Sequence, residues 1–162
     1  MEWQKRKILI WGKTRPELSS KHREVVCTGG VFEDTKDLVR LYPIPLRYID
    51  DEKIFRKYQW IEAEVKKAEG DNRPESFKIL PESIKVDGIL KTKRGDWSER
   101  AAWILNDKNI YQSVEALQEK QSKDFTSLGL VKPLEVLDVQ SKPVSISEKH
   151  DFWTKYEEAT QQ

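Results

Sequence analysis

Few residues in this chain could carry covalent or metal chemistry. His22 and His150 lie far apart in polar surroundings and match no metal-ligand spacing, so both read as solvent-exposed side chains. Cys27 could be a nucleophile with His22 as its base. It stands in Val25-Val26-Cys27-Thr28, however, and that apolar run reads as core, where free cysteines commonly reside. Gly29-Gly30 has neither the Gly-x-x-x-x-Gly-Lys pattern nor the following helix that a phosphate-cradling loop requires. Asp50-Asp51-Glu52 could hold magnesium, but beside Lys53 and Arg56 the run reads as a solvated turn or helix start. No catalytic set, metal site or cofactor follows, and an enzyme acting on nucleic acid ranks third among the readings.

The remaining signal is an interleaving of basic and aromatic residues in the first sixty positions. Arg40, Tyr42, Arg47 and Tyr48 follow one another through a Pro-x-Pro bend, and Arg56, Lys57, Tyr58 and Trp60 come shortly after. Rings that stack bases, with cations that hold the backbone, are the combination single-strand binders use. Arg40 and Tyr42 share one side of their strand and Val39 and Leu41 the other, so a cation and a ring stand together opposite the apolar face. The competing reading is a half-exposed strand whose arginine snorkels past rings at the rim of the core. Arg73, in the turn Arg73-Pro74-Glu75-Ser76, could meet a phosphate, pair with Glu75 or cap a carbonyl. Lys91-Thr92-Lys93-Arg94-Gly95 is the densest positive run, and reads as a hairpin tip.

These side chains need a scaffold, and the local patterns supply one. Residues 6–12 read as a short strand ended by Gly12, followed by a polar loop through Pro16. Residues 21–27 fit helix or strand equally, and Gly29-Gly30 is expected to break whichever forms. Leu38–Tyr42 is the clearest strand, with Pro43 and Pro45 taking the chain out of the sheet or to its edge. From Trp60 the sequence alternates, with Trp60, Glu62 and Glu64 on one face and Ile61, Ala63 and Val65 on the other. Residues 76–80 and 83–90 are two more strand candidates around Pro81. Five or more short strands before position 95 predict a small barrel or sandwich rather than βαβ units.

The pattern then turns helical. Asp96 with Glu99 three residues on has the capping-box arrangement, predicting a helix to about Leu105, and Ser113 opens a second helix in which Glu119 and Lys123 can pair. Residues 128–131 and 134–139 are expected to return to strand, and the last residues from Phe152 have helical propensity. The predicted class is α+β, mainly β: an OB-like barrel over residues 1–95, with helices and returning strands over 96–162 packed on it as one compact unit.

Composition bounds the function. The chain has 162 residues, is 37% hydrophobic and 35% charged, and carries 29 Lys+Arg against 28 Asp+Glu, which excludes bulk polyelectrolyte behaviour. Six Trp, five Tyr and five Phe argue against disorder throughout. One cysteine permits no intrachain disulfide and fits a reducing cytosol, and neither a membrane-spanning run nor a signal-peptide core is evident, so a cytoplasmic location is expected. The small net charge hides an asymmetry: residues 1–49 carry a net +4, residues 101–162 a net −3, and every arginine lies within the first hundred positions. An anionic partner should therefore meet the N-terminal two-thirds.

Several of these segments occur in an order that resembles a known group. Lys13-Thr14-Arg15-Pro16, Val26-Cys27-Thr28-Gly29-Gly30, Arg40-Leu41-Tyr42-Pro43-Ile44-Pro45-Leu46-Arg47, Lys57-Tyr58-Gln59-Trp60-Ile61 and Asp71-Asn72-Arg73-Pro74-Glu75-Ser76 are similar to motifs of an uncharacterised prokaryotic group of dual OB-domain-containing proteins, often encoded near mobile or phage-defence genes. Ser127-Leu128-Gly129-Leu130-Val131-Lys132-Pro133 also fits. Longer members continue into a Cys/His-containing segment that is missing here. The resemblance implies an OB-like barrel, a fold whose second and third strands commonly bind single-stranded nucleic acid.

Two functional expectations follow. The first is a non-enzymatic module binding single-stranded DNA or RNA, with Lys13, Arg15, Arg40, Arg47 and Arg73 toward phosphate and Tyr42, Tyr58 and Trp60 toward bases. The second is a protein-interaction accessory subunit of a multi-component system, motivated by the near-neutral charge and the acidic C-terminal third.

Overall fold

The computed structural model describes residues 2–14, 17–19, 23–45, 49–143, 145–147, 150 and 153–154. Its strands are β1 (Gln4–Lys13), β2 (Glu17–Ser19), β3 (Arg23–Phe32), β4 (Leu38–Ile44), β5 (Gln59–Lys67), β6 (Ser76–Ile79) and β7 (Lys85–Ile89). They are followed by α1 (Ser98–Ile104), β8 (Ile110–Tyr111), α2 (Val114–Asp124) and β9 (Leu130–Val131).

Five strands close on themselves in the order β1-β3-β4-β6-β5, with β5 returning to β1. All contacts around the ring are antiparallel except β4–β6, where Arg40 stands opposite Ser76 and Leu41 opposite Phe77 in a parallel pair. That order, with its single parallel junction, makes an OB-like barrel in which β3 and β4 are the second and third strands. β2 adds to the edge of β3, and β7 pairs with the start of β5. Closure leaves the five barrel strands with few open edges.

Alternation explains the interior. Ile8 and Ile10 of β1, Val39 and Leu41 of β4, and Ile61, Ala63 and Val65 of β5 all point inward and are essentially solvent-free. Phe55, from the β4–β5 connection, inserts among them. Each such aliphatic side chain contributes about 1.5–3 kcal/mol of burial, so the barrel core needs neither disulfide nor metal.

The two glycines expected to break a segment lie inside β3 instead, and the reason is close approach. A Cβ on Gly30 would stand 2.5 Å from Ile8 Cγ2, and one on Gly29 would stand 2.6 Å from the Trp11 ring. Pro43 likewise does not end β4. Between the Thr28–Leu41 and Val26–Ile44 pairs, β4 carries one residue more than β3, and this bulge takes up the proline before pairing resumes.

A second apolar row lies on the outside of the barrel. Trp60, Leu9, Val31 and Leu38 are cross-strand neighbours on β5, β1, β3 and β4, and the last three are buried although they point away from the core. The C-terminal elements dock on this side. Trp103 of α1 meets Trp60 edge-to-face at 4.9 Å, and Asn106 and Asn109 both donate to the Lys36 carbonyl. Lys108 donates to the Thr35 carbonyl, while Ser127 donates its backbone N–H and its hydroxyl to Glu75.

The helices begin differently from one another. Ser113 caps α2 by accepting from the Ala116 N–H, as its position predicts, and Lys123 pairs with Glu119. At α1 the N-cap is Trp97. Asp96 accepts from the Ser98 N–H and hydroxyl, and Glu99 turns to Lys93 rather than closing a capping box. Residues 134–139, expected as strand, take no regular structure. They have no ladder partner, and Leu134, Leu137 and Val139 are almost wholly exposed. The contacts just described come from residues 103 to 127, whereas residues 134–139 stand in solvent. The helix expected from Phe152 lies almost entirely outside the described residues. Among the described residues no helix is long and apolar enough to cross a membrane.

Candidate functional site

A concavity of about 430 Å³ opens on the outer face of β1, β3 and β4, lined by Trp11, Lys13, Cys27, Gly29, Arg40 and Lys57. Its floor follows from two local irregularities. β1 bulges between Ile10 and Gly12, and the extra residue, Trp11, swings over β3. There the indole lies on Gly29, where any side chain would displace it, and its Nε1 donates to the Gly30 carbonyl at 2.9 Å.

Two lysines border this ring. Lys13 donates to the Phe55 carbonyl at 2.8 Å, and burial, with the charge of Lys57 added, pushes its ammonium below the usual lysine pKa. Lys57 is exposed, and neither lysine forms an ion pair with a described residue. Two cations thus share a groove with no carboxylate among its described lining residues.

Arg40 is differently placed. Its guanidinium lies 4.9 Å over the Tyr42 ring, reaches the Ser76 hydroxyl at 3.3 Å, and sits 3.5 Å from Asp71. Arg73 grips the same carboxylate with two hydrogen bonds of 2.8 and 2.7 Å. These bonds hold the Asp71 carboxyl far below the usual carboxylate range despite its partial burial. Lys67 completes the turn by donating to the Arg73 and Ser76 carbonyls. Arg40 and Arg73 therefore share one counter-charge, leaving the pair a net single positive charge.

The expected residues divide accordingly. Lys13, Arg40, Tyr42 and Arg73 belong to this face of the barrel, Arg73 through its shared acid. Tyr58 and Trp60 do not. Trp60 is held against Trp103 with Lys7 over its ring at 5.3 Å, and Tyr58 lies under the Arg100 guanidinium at 4.0 Å, edge-on to Trp97. Arg15 and Arg47, together with His22 and Tyr48, lie outside the described residues. Cys27 is half-exposed in the groove rather than buried, because the irregularity between Val26 and Thr28 turns it outward between two buried neighbours. His150 is exposed. Asp51–Lys53 is a single 3-10 turn in which Lys53 pairs with Asp50 at 2.6 Å. Among the described residues no group of three or more His, Cys, Asp or Glu could hold a metal ion.

Residues 4–106 match the model of a family described as a domain of unknown function, DUF8758. The chain belongs to the DUF8758 family. The matched span contains all seven strands of the large sheet and α1, so the DUF8758 unit is the barrel with its first helix. No curated protein and no solved structure matches the chain. Ser127 and Leu128, which form one wall of the groove, come from beyond the DUF8758 span.

Three groove residues are absent from the expected contacts, Lys57 although it stands in the basic and aromatic run. Trp11 reads in the sequence as one more apolar residue in a strand, and only its cross-strand partner, a glycine, betrays a ring lying flat on backbone. Lys57 stands beside the more conspicuous Tyr58 and Trp60. Leu128 is brought in by tertiary docking, for which no local pattern exists.

Proposed function

We propose that the groove on β1, β3 and β4 binds single-stranded nucleic acid without catalysis. The observation that carries this reading is Trp11, a ring fixed flat in an open groove, flanked by Lys13 and Lys57 with no acid among their described neighbours. A fixed ring offers a stacking platform at little entropic cost, and ammonium groups with no described acid partner are available to phosphate. Arg40, seated on Tyr42, is the third cation of the site. The fold adds an analogy, since OB barrels use this face for oligonucleotides. The resemblance to dual OB-domain proteins, and a cytoplasmic role near phage-defence genes, belong to the same proposal.

Fluorescence anisotropy with labelled single- and double-stranded oligonucleotides tests it. Three phosphate contacts on a single strand predict a log–log salt slope of about −2, or roughly fifteenfold weaker binding between 50 and 200 mM salt. Lys13→Ala with Lys57→Ala should reduce the slope by more than one while thermal stability holds. Affinity indifferent to salt overturns the reading.

A second reading, a protein-interaction accessory subunit, is favoured by residues 134–139, where Leu134, Val136, Leu137 and Val139 stand in solvent. A stoichiometric partner, lost on Leu134→Ser with Leu137→Ser, together with no retention of oligonucleotides, would select it.

A further inference from the structure

Lys57 connects the groove to a second basic and aromatic surface. The residue after it, Tyr58, adopts a left-handed backbone conformation (φ 59°) that lets its two backbone groups point to different strands. Its N–H donates to the Ile10 carbonyl, next to Trp11, and its carbonyl accepts from the Leu90 N–H at 2.7 Å, at the end of β7. The Tyr58 ring lies under Arg100, whose Nε donates to the Leu90 carbonyl and whose guanidinium also lies 4.8 Å from the Trp97 ring. Trp97 is held by both neighbours and still keeps 52% of its surface open.

The basic run stands beside this cluster, on a rigid hairpin. Lys93 and Asp96 form an antiparallel bridge around Arg94 and Gly95, both with positive φ (52° and 84°), the arrangement of a tight type I′ turn. Lys93 lies 3.2 Å from Glu99, whereas Lys91 and Arg94 pair with no described acid. An indole held by its neighbours and two exposed cations with no described acid partner thus stand in one short stretch, residues 91–97, beside Tyr58, the residue that follows Lys57.

We propose that a single strand leaving the groove at Lys57 continues over Trp97, stacking one base there, and is met by Lys91 and Arg94 at its phosphates. This extension rests on the reading of the groove as a single-strand site. It makes the footprint longer than the groove alone, and it uses residues between β7 and α1 rather than a barrel loop.

A length series tests it, with dT5 to fill the groove and dT15 to reach the hairpin. Replacement of Lys91, Arg94 and Trp97 by alanine together should weaken dT15 at least about tenfold, the loss expected for one stacked base and two phosphate contacts, with dT5 changed less than about twofold. Lys91→Glu with Arg94→Glu, both at exposed positions, guards against a folding defect and should lower the dT15 salt slope by about 1.4 without altering that of dT5. Equal losses for both lengths, or no loss for either, overturn the extension while leaving the groove intact as a site. If the unaltered protein binds neither length, the groove reading fails and the extension fails with it.

Discussion

Two stretches of the same outer face of the barrel carry tryptophan beside lysine, and they use it in opposite ways. In one stretch Trp60 and Trp103 meet edge-to-face, with Lys7 over one ring and Lys36 over the other at 5.3 Å each, all part of the surface where α1 docks. Farther along the same strands Trp11 lies on a glycine with Lys13 and Lys57 around it and an open concavity above. Cation–ring pairing by itself therefore does not mark a binding site. The distinction lies in whether another element covers the pair. Outward Leu9, Val31 and Leu38 beside Trp60 create an apolar stripe that must be covered, whereas the glycines beside Trp11 create a hollow.

The largest expected difference between the two regions is in stability. Trp60→Ala removes a ring from the docking surface of α1 and should cost about 2–4 kcal/mol in urea unfolding, with oligonucleotide affinity retained by the folded fraction. Trp11→Ala should cost about 1 kcal/mol and weaken binding roughly tenfold. Equal stability losses would erase the contrast.

The two glycines give a sharper, smaller test. Gly30→Ala drives a methyl group into Ile8 and toward the Leu9 carbonyl inside the barrel, and about 1–3 kcal/mol of overpacking should follow. Gly29→Ala first meets the Trp11 ring, which can lift away, so binding should suffer more than melting temperature. The reverse order would place the indole among the barrel's structural groups.

Smallest is the effect of the shared acid. Asp71→Asn should leave stability about 1–2 kcal/mol lower at neutral pH and make the salt slope of binding steeper by roughly 0.7, since one more cation becomes available. The sign of the pH dependence is fixed by the depressed carboxyl. Its stabilisation is present above the unfolded value of about 3.9 and lost only as pH falls through the lower folded value, so the gap between variant and parent should persist to pH 5 and close in stronger acid. A gap that closes between pH 7 and 5 would mean that Arg73 does not depress this group.

Much of the barrel is legible in the chain because its signals are local. Ile61, Ala63 and Val65 alternate with polar neighbours, and Arg40 and Tyr42 oppose Val39 and Leu41, and each falls on the face its spacing dictates. The glycines misled because a glycine in a strand signals either a break or a close neighbour, and only the neighbour decides. Residues 134–139 misled in the opposite way, since alternation describes a strand's faces but cannot supply the second strand that hydrogen bonding requires. The site was half legible. Arg40 and Lys13 share an element pattern with rings, but the separation of Trp60 from Trp11 depends on which part of the outer face α1 covers, and that is a property of the assembled fold.

Ser127 is anchored to Glu75, and with Leu128 it walls the groove from outside the span shared by the family. The strands and the rim of this pocket thus come from separate stretches of polypeptide. A sibling protein with the same barrel and a different continuation after α1 would offer an altered mouth, broader or narrower, over an unchanged bed. Selectivity could drift in such a lineage while the architecture beneath it stayed fixed.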